Sequence, residues 1–323
     1  MNSRLSYIDA LKGIAITAVL LLHTLSDGAR KAIIAPIHIG QAVPIFIAVT
    51  FFLSFLTMDR LNGKLIEWYK PARVLKMVKR VVIPFLIVLV LQCALLLFLS
   101  DVKPRVIIAG GGYGPGSYYL WVYLQVWFVA PLFYKLLKWR PLHGSVAILL
   151  LCIVLNMVSS RFCPDLLWRL LAIRYLFLSV PVWLWFHWIE YKIETKMMIT
   201  VIGFMSLIYI LFFADCDWRP FIYHGSWNAQ NYPAFFWTLL LILLLVKIMP
   251  HFPPKMESLF EWMGVNSWEI FLAQMFIIGF VRQLPIIGNP SLKAILYVFF
   301  VFSTSLGSVF IYKSIVSRTR KMN

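Results

Sequence analysis

Hydrophobic side chains in this chain come in long runs, not in the short alternations of a sheet or the single stripes of a soluble amphipathic helix. Ten runs reach or approach the roughly 20 apolar residues that cross a bilayer as a helix: 8–25, 39–58, 81–100, 118–137, 146–159, 171–188, 198–214, 233–249, 264–281 and 292–316. This predicts an all-α integral membrane protein, a polytopic bundle of about ten transmembrane helices. The connections between runs leave no room for an independent soluble domain, so 1–323 reads as a single transmembrane domain. The first run carries Asp9, Lys12 and His23 and has no small-residue cleavage site, which predicts a retained helix and not a removed signal peptide.

Composition sharpens this reading. The hydrophobic share of 61% against 13% charged residues, with a mean hydropathy of +0.83, excludes an ordinary soluble domain. The formal net charge of +17 would suggest nucleic acid in a soluble protein, but no nucleic-acid-binding motif is present. In a membrane protein, basic residues collect on the cytoplasmic side and meet anionic lipid. With the N-terminus inside, two thirds of the 30 Lys and Arg residues fall on that side, which predicts both termini cytoplasmic. No sequence repeat relates the two halves, as an inverted-repeat transporter would often show. Cys93 and Cys152 lie inside apolar runs as small core residues, while Cys163 and Cys216 fall in two connections on one side and leave a bridge open.

Three connections stand out. The one over 59–80 carries Arg60, Lys64, Lys70, Arg73, Lys76, Lys79 and Arg80; the one over 101–117 is glycine-rich; and the one over 215–232 is polar and aromatic, suited to a carbohydrate-facing vestibule or to a lipid interface.

Ionisable groups inside spans are costly and mark functional hypotheses. At about 100° per residue, Asp9, Lys12 and His23 share a stripe about 60° wide on the first helix, the mark of a face that lines a protein interior. A histidine that merely donates to a carbonyl is the bland alternative for His23, and mutual neutralisation is the bland alternative for Asp9 and Lys12. Imidazole titrates near neutrality and can take a proton from a hydroxyl and return it to a leaving group, which suits acyl transfer.

The same residues carry a family resemblance. The segment "YIDALKGIAITAVLLLHT" resembles the first helix of the acyltransferase-3 family of membrane-bound acyltransferases: tyrosine, Asp, Ala, Leu, a basic residue, Gly, and a histidine ten intervening residues beyond the basic one. The likeness continues in "VPIFIAVTFFLSF", "KRVVIPFLI", "GPGSYYLWVYLQ" and "MGVNSWEIFLAQM", and so covers essentially the whole chain. Lys12 stands where relatives more often have arginine, Thr50 and Phe51 where they have serine and glycine, and Gln274 where many have histidine.

The resemblance implies transfer of an acyl group, commonly acetyl from acetyl-CoA, to a carbohydrate hydroxyl of a surface polysaccharide or related envelope glycan. The implied location is the bacterial inner membrane, with acyl-CoA, membrane lipid and a glycan or lipid-linked sugar as partners. It puts His23 in the catalytic role, with Lys12 and Asp9 beside it. His23 lies about 16 Å along the helix from Lys12, so the pantetheine arm of a cytoplasmic donor would have to enter between helices. Arg73, Lys76, Lys79 and Arg80 fit the phosphates of CoA, or equally anionic lipid headgroups.

Other positions have paired readings. Ser117 reads as a helix cap or a substrate contact. Tyr118, Tyr119 and Trp121 read as an aromatic belt or a stacking surface for sugar. Glu269 and Gln274 lie in a span and read as substrate contacts; Glu269 needs a partner there, and it would orient a histidine or accept from substrate hydroxyls. Arg174 reads as half of an internal ion pair or as a ligand contact. His187 is expected to be structural, and His38 and His224 to be solvated loop residues. No histidine or cysteine spacing fits a metal site, and no bound cofactor beyond the acyl-CoA donor is expected. The competing class is a transporter or flippase of lipid-linked sugar, which predicts broken helices and paired charges near the midplane; a third possibility is an acyltransferase-like scaffold without catalysis.

Overall fold

A computed structural model describes residues 5–99, 107–108, 110–163, 165–212, 228–281 and 290–322. Among the described residues there are helices and turns and no strand. The longer helices are α1 (Ser6–Thr24), α2 (Ala42–Arg60), α3 (Ile83–Leu99), α4 (Tyr119–Trp139), α5 (Pro141–Phe162), α6 (Ser179–Phe186), α7 (Ile193–Phe212), α8 (Phe235–Ile248), α9 (Pro254–Val265), α10 (Ser267–Val281) and α11 (Pro290–Met322).

Nine described helical segments are long and apolar enough to cross a membrane, or ten when the bent pair α9–α10 counts as one span. The protein is an all-α, multi-pass membrane protein. Large apolar side chains stand exposed along α5 (Leu150, Leu151, Val154), α7 (Val201, Phe204, Ile208) and α11 (Phe299, Phe300, Ile311), a surface suited to hydrocarbon and not to water.

Three spans depart from the expected runs. The third begins at Pro71, ten residues early, as a helix over Pro71–Met77 that passes through a π-helical turn at Val78–Val82 into α3. The sixth runs over Leu167–Phe186 and is interrupted. The Gln125 amide, projecting from α4, donates to Leu170 O at 2.7 Å and accepts from Ala172 N at 3.1 Å, so the backbone groups released at the break stay paired inside the span. The ninth run, expected over 264–281, lies almost wholly in α10, and a helix ahead of it, α9, meets it at a bend of 74°. Asn266 sits at the break and its Nδ2 donates to the Trp262 carbonyl at 2.8 Å. A short amide side chain that takes a carbonyl four residues back competes with the helix ladder, which accounts for the stop.

The chain forms two compact units. The first comprises 1–35, 78–118 and 253–323, and so holds α1, α3, the glycine-rich turn, α9, α10 and α11. Here α1 packs along α9, and α10 touches α1, α3 and α11. The second comprises 36–77 and 119–252. Its centre is aromatic: Phe52 stacks on Trp185 at 4.1 Å, and Phe55 packs among Phe51, Tyr134 and Trp183. Two amides, the buried Gln41 and the half-buried Gln230, tie its loops together. Gln41 donates to Pro36 O and Ala229 O and accepts from Thr238, and Gln230 donates to Gly40 O while accepting from Tyr175.

Candidate active site

On α1 the Lys12 ammonium lies 2.7 Å from the Asp9 carboxylate, and both side chains are largely buried, at 19% and 12% exposure. Three residues apart on a helix, the two form a direct ion pair, which is the bland alternative for them. His23 stands in the last turn of α1, half-buried, eleven residues beyond Lys12. At 1.5 Å per residue that is about 16 Å along the axis. The stripe is therefore real, but the imidazole and the ion pair occupy its two ends and do not touch.

Glycine sets how α1 meets α9. A Cβ on Gly264 would fall on the Asp9 carbonyl oxygen, and one on Gly13 would fall on the Phe260 carbonyl oxygen. Only hydrogen at both positions allows the two backbones this approach. The ion-paired end of α1 is thus clamped by α9, and both glycines lie inside the quoted sequence motifs without having been singled out as contacts.

The glycine-rich turn is seated on α10. Gly114 meets the Met275 carbonyl and Gly116 the Phe271 ring, each where a Cβ would come within 2.6 and 2.7 Å, and both glycines have positive φ (101° and 83°). Gln92 of α3 holds the turn by a double bond to one residue: its Nε2 donates to Tyr113 O at 2.6 Å and its Oε1 accepts from Tyr113 N at 3.2 Å. The only sequence signal for Gln92 is an amide inside an apolar run. Ser117 does not cap the fourth helix, which starts at Tyr119; its hydroxyl reaches Gly110 O at 3.5 Å, the limit of a hydrogen bond. Tyr118 is buried in the first unit. Tyr119 belongs to the second, edge-on to Phe46 at 6.1 Å and in hydrogen-bond contact with Thr50.

The partner that Glu269 needs inside a span is Lys313 of α11, 2.6 Å away, and not a histidine. Gln274 is at 0% exposure, and among the described residues neither its Oε1 nor its Nε2 has a hydrogen-bond partner.

Of the four basic candidates, Arg73 lies over the Trp68 ring at 5.7 Å, and Lys76, Lys79 and Arg80 are exposed. Arg73 and Lys76 fall in the second unit, Lys79 and Arg80 in the first. Nearby, the Lys70 ammonium bonded to Glu67 holds that carboxyl below its ordinary range.

The remaining candidates are mostly structural. Arg174, 1% exposed, places its guanidinium over the rings of Trp168 and Tyr175, each at 4.8 Å. His187 pairs with Glu190 at 2.8 Å and packs on Trp183. His38, expected to be simply solvated, uses Nδ1 to accept from Ile39 N at 2.7 Å and so caps the turn that opens the second span. His224 and Cys216 lie outside the described residues. Among the described residues no three His, Cys, Asp or Glu side chains gather as a metal site would require. A mostly apolar cavity of about 410 Å³ in the second unit, lined by Gln125, Phe128, Leu155 and Ile173 among others, holds none of the candidate residues.

The family model for an acyltransferase domain matches residues 5–313, nearly the whole chain. The chain belongs to the acyltransferase-3 family. No curated protein and no solved structure matches it. Membership makes this a membrane acyltransferase, with Asp9, Lys12, Gly13 and His23 in the first helix of the matched region. It also bears on the bend between α9 and α10, the kind of broken helix that a transporter would show: here the bend lies within an acyltransferase domain.

Proposed function

We propose that this acyltransferase moves an acyl group, acetyl in the simplest case, from acyl-CoA to a hydroxyl of an envelope or exported polysaccharide, in the bacterial inner membrane with both termini cytoplasmic. The observation that carries this reading is the placement of His23: an imidazole in the last turn of a membrane-spanning helix whose polar stripe begins, about 16 Å below, at the buried Asp9–Lys12 pair.

His23 takes the proton of the acceptor hydroxyl as its oxygen attacks the thioester carbonyl carbon. The carbon–sulfur bond breaks, and the imidazolium returns the proton to the departing thiolate. Lys12, held by Asp9, keeps a positive charge in the wall of the first unit near the mouth through which the donor's arm enters. Arg73, Lys76, Lys79 and Arg80, carried on one helical segment over Pro71–Leu97, supply charge-assisted donors for the CoA phosphates. The acceptor is met by Ser117 and Tyr118, with Glu269 offering the carboxylate oxygen that Lys313 leaves open.

Membranes containing the protein, supplied with acetyl-CoA labelled in the acetyl group and an acceptor glycan, test the reading. Label should pass to glycan, in an ester that mild base removes, with one free CoA thiol released per ester. A glycan that changes sides of the membrane without gaining label would establish the flippase in its place.

A further inference from the structure

Among the described residues of the first unit, Gln274 leaves two buried polar atoms unpaired, where Tyr297 and Ser305 leave one each. The glutamine side chain is fully buried in α10, its amide offers two N–H donors and a carbonyl acceptor, and neither end is paired among the described residues. Each buried hydrogen-bonding group left unmade costs about 1–3 kcal/mol, and native structures hold few of them. An unpaired amide here marks the place of an absent partner.

The surroundings say where that partner lies. One face of α10, through Phe271, Met275 and Gly279, receives the glycine-rich turn. A second, through Glu269, receives Lys313 of α11. Ile270, Gln274, Ile278 and Val281 share a third buried face, within about 80° on the helical wheel. α3 meets α10 on the side of the turn, where Phe85 stacks on Trp268 with ring centroids 6.5 Å apart; apart from α9, to which α10 is joined directly, the described helix of this unit left against α10 is α1, which carries His23. Gln274 thus faces the catalytic helix across an apolar seam.

Two features select the ligand chemistry. Both ends of the amide are vacant, so the partner supplies an acceptor and a donor; because the N–H and C=O of one trans secondary amide point in opposite directions, the two come from successive amides of one chain, as Tyr113 N and O do toward Gln92. The neighbours on this face are aliphatic, so the partner is slender and largely apolar; a sugar ring would bring several more hydroxyls than the seam can pair. The pantetheine arm of CoA is such a chain, with two secondary amides.

We propose that Gln274 is a donor-binding residue whose carboxamide oxygen accepts from the N–H of one pantetheine amide of acyl-CoA while its N–H donates to the C=O of the other, holding the arm beside α1. This rests on the acyl-CoA reading above.

The test is calorimetric titration of the purified full-length protein with CoA, S-acetylpantetheine and adenosine 3′,5′-bisphosphate, for the wild type, Q274L and the near-isosteric Q274M. Loss of two hydrogen bonds should weaken CoA and S-acetylpantetheine by about 10- to 100-fold and leave the bisphosphate unchanged. The ligand-free variants should melt at or above the wild-type temperature, because an unsatisfied amide has been removed. Unchanged CoA affinity in both variants overturns the proposal and leaves the acyl-CoA reading standing. Variants that melt lower and lose all three ligands alike show a structural amide and also overturn it. A wild type that binds none of the three overturns the acyl-CoA reading itself, and this inference with it.

Discussion

Gly264 sits against the backbone carbonyl of Asp9, so close that a single methyl group would overlap the oxygen. The residue whose side chain anchors Lys12 is therefore itself held through its backbone by α9, and Gly13 repeats the arrangement against Phe260. Close backbone approach at small residues is how membrane helices associate without a hydrophobic driving force between them.

Alanine at either glycine should part α1 from α9. For G264A and G13A the expected loss is about 1–3 kcal/mol or more, read as a lower melting temperature in detergent and lower activity. G28A, where nothing lies within 4 Å of the added carbon, is the matched control and should melt like the wild type.

The Asp9–Lys12 pair should behave as a unit. Removing one partner, as in D9N or K12M, leaves a largely buried charge uncompensated and should cost on the order of 3 kcal/mol. The double variant D9N/K12M should recover much of that loss. Thermal unfolding of all four proteins gives the coupling energy directly, and additive losses would show that the two charges do not depend on each other.

Gln92 should govern the glycine-rich turn. Q92L removes both bonds to the part-buried Tyr113 backbone, a penalty of about 1–3 kcal/mol concentrated in the turn. Limited proteolysis should cut near Tyr113 faster in Q92L than in the wild type, and the apparent affinity for the acceptor should fall.

The basic segment distinguishes its two readings by salt. If Arg73 and Arg80 hold phosphates of the donor, R73A and R80A should each weaken CoA binding by about tenfold, the effect of roughly 1.4 kcal/mol, and the difference should shrink as salt screens the charges. Unaltered CoA affinity, with weaker retention on vesicles containing anionic lipid, would assign the segment to headgroups.

Much of the fold was legible because a bilayer imposes long apolar runs, and nearly all ten runs correspond to helices. The departures occur where one polar side chain acts at a helix end: Asn266 stops α9, and Gln125 supports the break before Arg174. Hydropathy averages over such single residues. The same blindness hid the site's supports. Lys313 is near a helix end in sequence and gives no sign of reaching Glu269, and Gln92 is one amide among leucines. The polar stripe of α1 could be read from spacing alone, since helical geometry fixes it. That its lower end closes into an ion pair depended on side-chain conformation, which spacing leaves open.

The most direct test of the account is the mass spectrum of envelope polysaccharide from cells making either the wild-type protein or H23A at equal abundance, before and after mild base. An acetyl increment that is labile to base, present with the wild type and absent with H23A, is the predicted result. The same increment with both proteins would contradict the assignment of His23 as the base.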